Sequence, residues 1–168
     1  MELLLGSGTN LAKQVTFGEI PKEWVELVTL DHDESFSPHV VHDLNNIPYP
    51  FGDSVFDEVH AYEVLEHCGR QGDWRFFFNQ FAEFHRILKP GGYFIATTPR
   101  WDSIWAWSDP GHTRIISEGN LIFLAQKNYE QVGRTAMTDY RRWYSGDFEI
   151  LSAGEKEESF VFILKAIK

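Results

Sequence analysis

Apolar residues fall along this chain in short runs that stop abruptly on polar ones. Met1 to Leu5 ends at Gly6, Glu26 to Leu30 at Asp31, His39 to Val41 at His42 and Asp43, and Glu58 to Tyr62 at Glu63. Short apolar runs bounded in this way predict buried strands. The first run leaves almost nothing before it, so the chain is expected to begin directly on a strand, without a helical cap.

A different period follows. Trp74, Phe77, Phe78, Phe81, Phe84 and Leu88 recur at three- and four-residue spacing, predicting a helix over about 73–88 with one aromatic face against the core. Asp73 stands where an N-cap belongs, and Lys89, Pro90, Gly91 and Gly92 are expected to end the helix. Strand five follows as Tyr93 to Thr97. Residues 101–114 carry Trp, Asp, Pro and Gly without a period and read as a long loop. A second helix is expected from Ser117 to about Gln131, with Leu121, Leu124 and Ala125 inward. Between the first three strands the links are thin: Asn10 to Val15 has room for two helical turns and Asp33 to Pro38 for hardly any, so one face of the sheet should be sparsely covered.

The chain ends on alternation in Phe148 to Ser152, a turn through GEKEES and a run from Phe160 to Ile167. This predicts a hairpin. The whole pattern is α/β: a Rossmann-like, doubly wound, mostly parallel sheet with a C-terminal antiparallel hairpin strand. With 168 residues, 43% of them hydrophobic, one domain over 1–168 is expected.

Charge narrows the partners. The formal net charge of -10 opposes a phosphate backbone, so no nucleic-acid partner is expected. A single cysteine, Cys68, cannot form an internal disulfide, and the start lacks a basic flank, apolar core and cleavage site. A cytoplasmic location is the expectation. The longest apolar runs fall far short of the roughly 20 residues that span a bilayer, so no membrane partner is expected.

Candidate chemistry collects at the strand ends. Gly6 and Gly8 sit where strand one turns, and free amides there favour oxygen ligands. Asp31 follows Gly8 at the distance that places an acid on ribose hydroxyls in nucleotide-binding folds, and Asp43, followed by Leu44, closes strand three. Ligands of such sheets bind at the carboxyl ends of the strands. A dinucleotide site is disfavoured because the third glycine of GxGxxG would fall at Leu11 and because of the final hairpin. No metal site is expected: His39 and His42 should point to opposite faces of an extended segment, and no CxxC, HExxH or calcium-loop spacing occurs. Cys68 has no evident base beside it. In the long loop, His112 is the candidate catalytic base, since it lies beyond the ligand edge and imidazole titrates near neutrality. Trp101, Trp105 and Trp107 are candidates for an acceptor wall, and Arg100, Arg114, Arg141 and Arg142 for holding an anionic acceptor.

Taken together, LLLGSGTN, VTLDHD, VVHDL, IPYPFGDSVFDEVHAYEVLEH and HRILKPGGYFIATTP resemble class I S-adenosylmethionine (SAM) dependent methyltransferases over roughly Leu3 to Pro99. The resemblance implies SAM as cofactor and methyl transfer to an oxygen or nitrogen of a small-molecule acceptor; the alternative is a non-catalytic SAM-binding or partner-binding protein of the same fold. It also implies that Gly6, Ser7, Gly8 and Asn10 hold the methionine end, that Asp31 takes the ribose with His32 beside it, and that Asp43 and Leu44 frame the adenine. Tyr62 and Glu63 would face the methionine portion and the reactive methyl, with Glu66 and His67 starting a helix behind them. This chain departs from the common pattern at Leu4, where an acid is frequent, and at Asn10, where a third glycine is usual.

Overall fold

Every predicted strand forms. The computed structural model describes residues 1–168, with β1 (Glu2–Leu5), β2 (Leu27–Asp31), β3 (Val40–Val41), β4 (Phe56–Tyr62), β5 (Leu88–Pro99), β6 (Phe148–Lys156) and β7 (Ser159–Ala166). They build one sheet in the order β3-β2-β1-β4-β5-β7-β6. The first five strands run parallel, while β7 enters antiparallel between β5 and β6, as the terminal hairpin requires. The Rossmann-like, mostly parallel architecture is therefore the observed one.

Strand parity divides the sheet into two unequal faces. Leu3, Leu5, Val59, Ala61, Phe94 and Ala96 point toward the main helix, α1 (Trp74–Ile87), and belong to a core cluster of 26 buried residues. Asp73 caps α1 by accepting the Phe76 N–H at 3.0 Å, and Phe78, Phe81, Phe84 and Ile87 are buried on its inner face. Phe84 stacks on Phe94 of β5 with centroids 4.4 Å apart. Burying each of these side chains contributes about 1.5–3 kcal/mol, and the aromatic stripe is accounted for by packing.

The opposite face carries only Leu4, Tyr62, Ile95 and Ile163 as a buried cluster, covered by Val15, Ile20 and Trp24. No helix forms over 10–15; residues 9–26 are irregular. What holds this segment is polar. Glu2 and Glu58, opposite each other on β1 and β4, both contact the Lys13 ammonium, at 3.0 and 2.7 Å. Glu2 also accepts the Val25 and Glu26 N–H groups, at 2.8 and 3.0 Å. Buried backbone donors need partners, and side chains supply here what a helix would have supplied internally.

Other boundaries moved. The helix ends at Ile87 and LKPGG belongs to β5, whose pairing with β4 shifts register between Phe56 and Glu58 to absorb it. The long loop holds one helical turn, α2 (Trp105–Ser108). The helix expected over 117–131 is broken into α3 (Glu118–Leu121) and two 3-10 segments, Ile122–Leu124 and Gln126–Gln131, because Gln126 turns away to donate to the Tyr144 and Gly146 carbonyls. Leu121, Leu124 and Ala125 are nonetheless fully buried. Glu66 and His67 lie in a 3-10 turn, Leu65–His67, rather than at the start of a helix. No helix is long and apolar enough to cross a membrane.

Candidate functional site

The carboxyl ends of β1, β2 and β3 open onto a cavity of about 520 Å3, within the range of small-ligand sites. Gly6, Asp31, His32, Asp43 and Leu44 line it, so strand ends far apart in sequence meet as expected. Gly6 and Gly8 both take positive φ, 58° and 47°. A Cβ on Gly6 would lie 2.3 Å from the Val64 side chain, so only glycine lets the loop after β1 pack beneath the loop after β4.

Asp31 is 4% exposed and both of its oxygens are used. Oδ2 accepts the Gly8 N–H at 2.9 Å and Oδ1 accepts the Asp33 N–H at 3.0 Å. A carboxylate has about four lone-pair sites, so capacity remains for ligand hydroxyls. Asp31 therefore ties the glycine loop to β2 as well as facing the cavity. Asp43 accepts the Asn45 backbone and amide N–H groups on Oδ1, at 2.8 and 2.9 Å. The Asn45 backbone bond is the main reason its carboxyl lies below the usual range. Leu44 is buried beside it, its carbonyl accepting the Tyr49 hydroxyl at 3.2 Å.

The remaining expected residues do not line this cavity. Ser7 is buried in the turn and donates its N–H to the Leu30 carbonyl; Asn10 is exposed and its Oδ1 accepts the Ala12 N–H. Tyr62 shares parity with Glu58 and His60 and lies under the 9–26 segment, its hydroxyl accepting the Val15 N–H at 3.4 Å. Glu63 takes φ 51° and accepts the Ser159 hydroxyl at 2.9 Å. Of the four arginines, Arg100 pairs with Asp102 and Arg141 with Asp139, while Arg142 lies over the Trp143 ring. Arg114 is buried, donating to the Leu65 carbonyl and to Gln80 Oε1. Trp101, Trp105 and Trp107 are 58%, 61% and 71% exposed and do not line the cavity.

At the far end of the cavity, spacing in the sequence gave no warning of what assembles. His67, Cys68 and Gly111 line it, bringing the turn after β4 against the loop after β5. His112 stands next to Gly111, its ring 4.6 Å from that of His67. His67 Nδ1 lies 3.1 Å from the Gly111 carbonyl and His112 Nδ1 lies 2.9 Å from the Trp105 carbonyl. Those bonds require N–H at Nδ1, so in the neutral tautomer each Nε2 carries the lone pair. His112 Nε2 is 4.0 Å from Glu66 Oε1 and 3.7 Å from Asp109 Oδ2. Glu66 is 2% exposed and neither of its oxygens has a hydrogen-bond partner. Burial, reinforced by the neighbouring Glu63 carboxylate, pushes the Glu66 carboxyl up to about 8. Burial likewise raises the Cys68 thiol, which argues against a thiolate nucleophile.

The donor set fits an adenosyl sulfonium: acids for hydroxyls and an amine, an apolar wall for a base, and net negative charge for a cation. The methyltransferase domain family matches residues 3–96, more than half of the chain. A protein of Arabidopsis thaliana described as an uncharacterized chloroplastic methyltransferase is 32% identical over 110 residues, covering 62% of this chain; the chain spans only 29% of that relative. Among solved structures, an SAM-dependent methyltransferase from Archaeoglobus fulgidus superposes with a TM-score of 0.60 at 16% identity, covering 98% of this chain and 85% of the other. A Haloferax volcanii methyltransferase in complex with the Trm112 methyltransferase activator gives 0.62 at 13% identity, covering 99% and 82%. Those two likenesses are of fold. The family match reaches further: this chain belongs to the methyltransferase domain family, whose methyl donor is S-adenosyl-L-methionine.

Proposed function

We propose that the protein transfers the methyl group of SAM to an oxygen or nitrogen of a small-molecule acceptor. The observation that carries this is the convergence of the Gly6–Gly8 loop, Asp31 with His32, and Asp43 with Leu44 on one cavity. Asp31 would take the ribose hydroxyls, Asp43 and Leu44 the adenine, and the Gly6-Ser7-Gly8 turn, followed by Asn10, the methionine end. Tyr62 would act only by supporting the segment that follows the glycine turn, through its bond to Val15, and Glu63 through the strained turn that closes β4. When bound, SAM supplies a sulfonium leaving group, so alignment and exclusion of water provide most of the rate.

His112 is the residue we place on the acceptor side. Its Nδ1–H is anchored on Trp105, and the Nε2 lone pair is turned toward Glu66, where an acceptor entering past His67 would arrive. Such a group helps remove the acceptor's proton, typically worth about 100-fold to 10,000-fold. The net negative charge of the chain, with Asp31 and Asp43 lining the cavity, favours a neutral or cationic acceptor over a nucleic acid.

Calorimetry with S-adenosylhomocysteine tests the donor site. Wild type should bind one equivalent, and Asp31→Ala should weaken binding by about 1–3 kcal/mol, the cost of losing charge-assisted hydrogen bonds. Equal affinity would show that the acid serves only the glycine loop. Transfer of labelled methyl from SAM to metabolite pools, abolished or cut at least about tenfold by His112→Ala, tests the acceptor side. A second reading, a protein that binds SAM but needs a partner to act, is favoured by the exposed strip of Trp101, Ile104, Trp105 and Trp107 beside the site and by the activator bound to the Haloferax volcanii relative. It predicts donor binding without turnover by the isolated chain.

A further inference from the structure

The group at the acceptor end is more than a lone histidine. One oxygen of Glu66 and one ring nitrogen each of His67 and His112 lie within 4.8 Å of one another. Metal–ligand bonds of roughly 2.0–2.2 Å bring ligand atoms to about 3 Å apart, so only a modest inward turn of these side chains separates the cluster from a coordination sphere. We infer that Glu66, His67 and His112 hold a divalent first-row transition-metal cation, and that it activates a hydroxyl group of the acceptor.

Three observations carry this independently of any spacing in the sequence. Glu66 is a buried carboxyl group with Glu63 as its acidic neighbour and no donor within hydrogen-bond geometry of either oxygen, in a protein where the other buried acids are paired. A buried polar group without a partner is costly, and a cation at this point supplies one. Both imidazoles are already oriented by backbone carbonyls on Nδ1, the outer-shell bond that metal-ligating histidines make almost without exception. Asp109 Oδ2, 3.7 Å from His112 Nε2, offers a further oxygen at the open side, and its Oδ1 is held by the Gly111 N–H at 2.7 Å. Two imidazoles with a carboxylate suit manganese, iron, cobalt or zinc rather than the all-oxygen shells of magnesium and calcium.

The placement gives the cation its work, resting on the methyl-transfer reading above. His67 and Gly111 wall the donor cavity, so an acceptor oxygen held by the cluster stands beside the bound donor. A Lewis acid there lowers the hydroxyl pKa. The O–H proton passes to solvent, the oxygen pair forms the new O–CH3 bond, and the C–S bond breaks to release the neutral thioether. His112 then helps remove the acceptor's proton through the cation it holds, and hydroxyl compounds are the acceptor class.

Mn2+ binding to the full chain, stripped with a chelator and followed by the loss of the free-ion electron paramagnetic resonance signal, tests the site. One equivalent should bind, and His112→Gln and Glu66→Gln should each weaken uptake by at least about tenfold. With Co2+ the wild type should develop a visible absorption band that His67→Gln shifts or abolishes. No uptake at millimolar Mn2+, or uptake unchanged in His112→Gln, overturns the proposal, and Glu66 is then a distant counter-charge for Arg114, whose Nη1 also lacks a partner. Should Glu66→Gln fail to fold, His112→Gln decides alone, because its side chain sits on a loop. S-adenosylhomocysteine titrated into the same samples separates the two ideas: donor binding without Mn2+ uptake removes the metal and leaves the methyltransferase.

Discussion

Glu2 and Glu58 face each other on neighbouring strands and share one ammonium, that of Lys13. Like charges opposite each other in a sheet repel. The arrangement is stable because Lys13, 1% exposed at its side chain, lies between them, and because His60 donates from Nε2 to Glu58 at 2.8 Å while burial keeps the imidazole below its ordinary pKa and so neutral. The tie fixes the segment that leaves the glycine loop.

Lys13→Met should destabilise the fold by about 3–5 kcal/mol, since it strands two buried carboxylates. Urea unfolding of the variant checks this. A change under about 1 kcal/mol would mean that water reaches the pair.

Acid should weaken the same region. Burial raises the Glu2 and Glu58 carboxyls, but backbone N–H groups, His60 and Lys13 more than offset it, so both lie below the usual glutamate value. A depressed folded pKa gives stability that is present above the unfolded value of about 4.3 and lost as pH falls through the folded value. Unfolding free energy measured from pH 7 down to pH 3 should drop steeply below about pH 4, and the drop should shrink in Lys13→Met.

A buried polar chain links the loop after β5 to the adenine side of the cavity. Arg114 donates to Gln80, Gln80 Nε2 donates to the Tyr49 hydroxyl at 3.1 Å, and that hydroxyl donates to the Leu44 carbonyl at 3.2 Å. Gln80→Leu leaves a guanidinium short of an acceptor and should cost about 2–4 kcal/mol; Tyr49→Phe removes one bond and should cost about 1 kcal/mol. Thermal unfolding of both variants gives the comparison, and equal losses would break the proposed chain.

The tryptophan strip should be energetically idle in the isolated chain. Trp107 is 71% exposed, fastened only by its indole N–H to the Trp101 carbonyl at 2.8 Å. Trp107→Ala is expected to change stability by no more than about 0.5 kcal/mol and to leave S-adenosylhomocysteine affinity intact by calorimetry. A weakened affinity would restore these residues to the wall of the site.

What could be read in the sequence was what depends on period and on strand ends. The Trp74 to Leu88 stripe located α1, and the polar closures at Gly6, Asp31 and Asp43 located the cavity, because both signals are local. The losses have physical causes. Asn10 to Val15 has space for a helix, but Lys13 is drawn to Glu2 and Glu58, a contact visible only once β1 and β4 are neighbours. Tyr62 closes a strand, yet alternation from Glu58 through His60 assigns it to the face away from α1, and counting by twos would have found this. The burial of Arg114 and Glu66 went unseen because nothing nearby in the chain announces it. The meeting of His67 with His112 depends on the crossover from β4 through α1 to β5, which no spacing rule encodes.

The irregular stretch over 9–26 divides the molecule into parts of unequal cohesion. Lifting it away would sacrifice four buried side chains and one shared ammonium while the aromatic half, with α1 and the hairpin, stayed whole. Opening confined to one segment costs less than complete unfolding. The stretch that follows the glycine turn can thus loosen and reseat without any rearrangement of the main core.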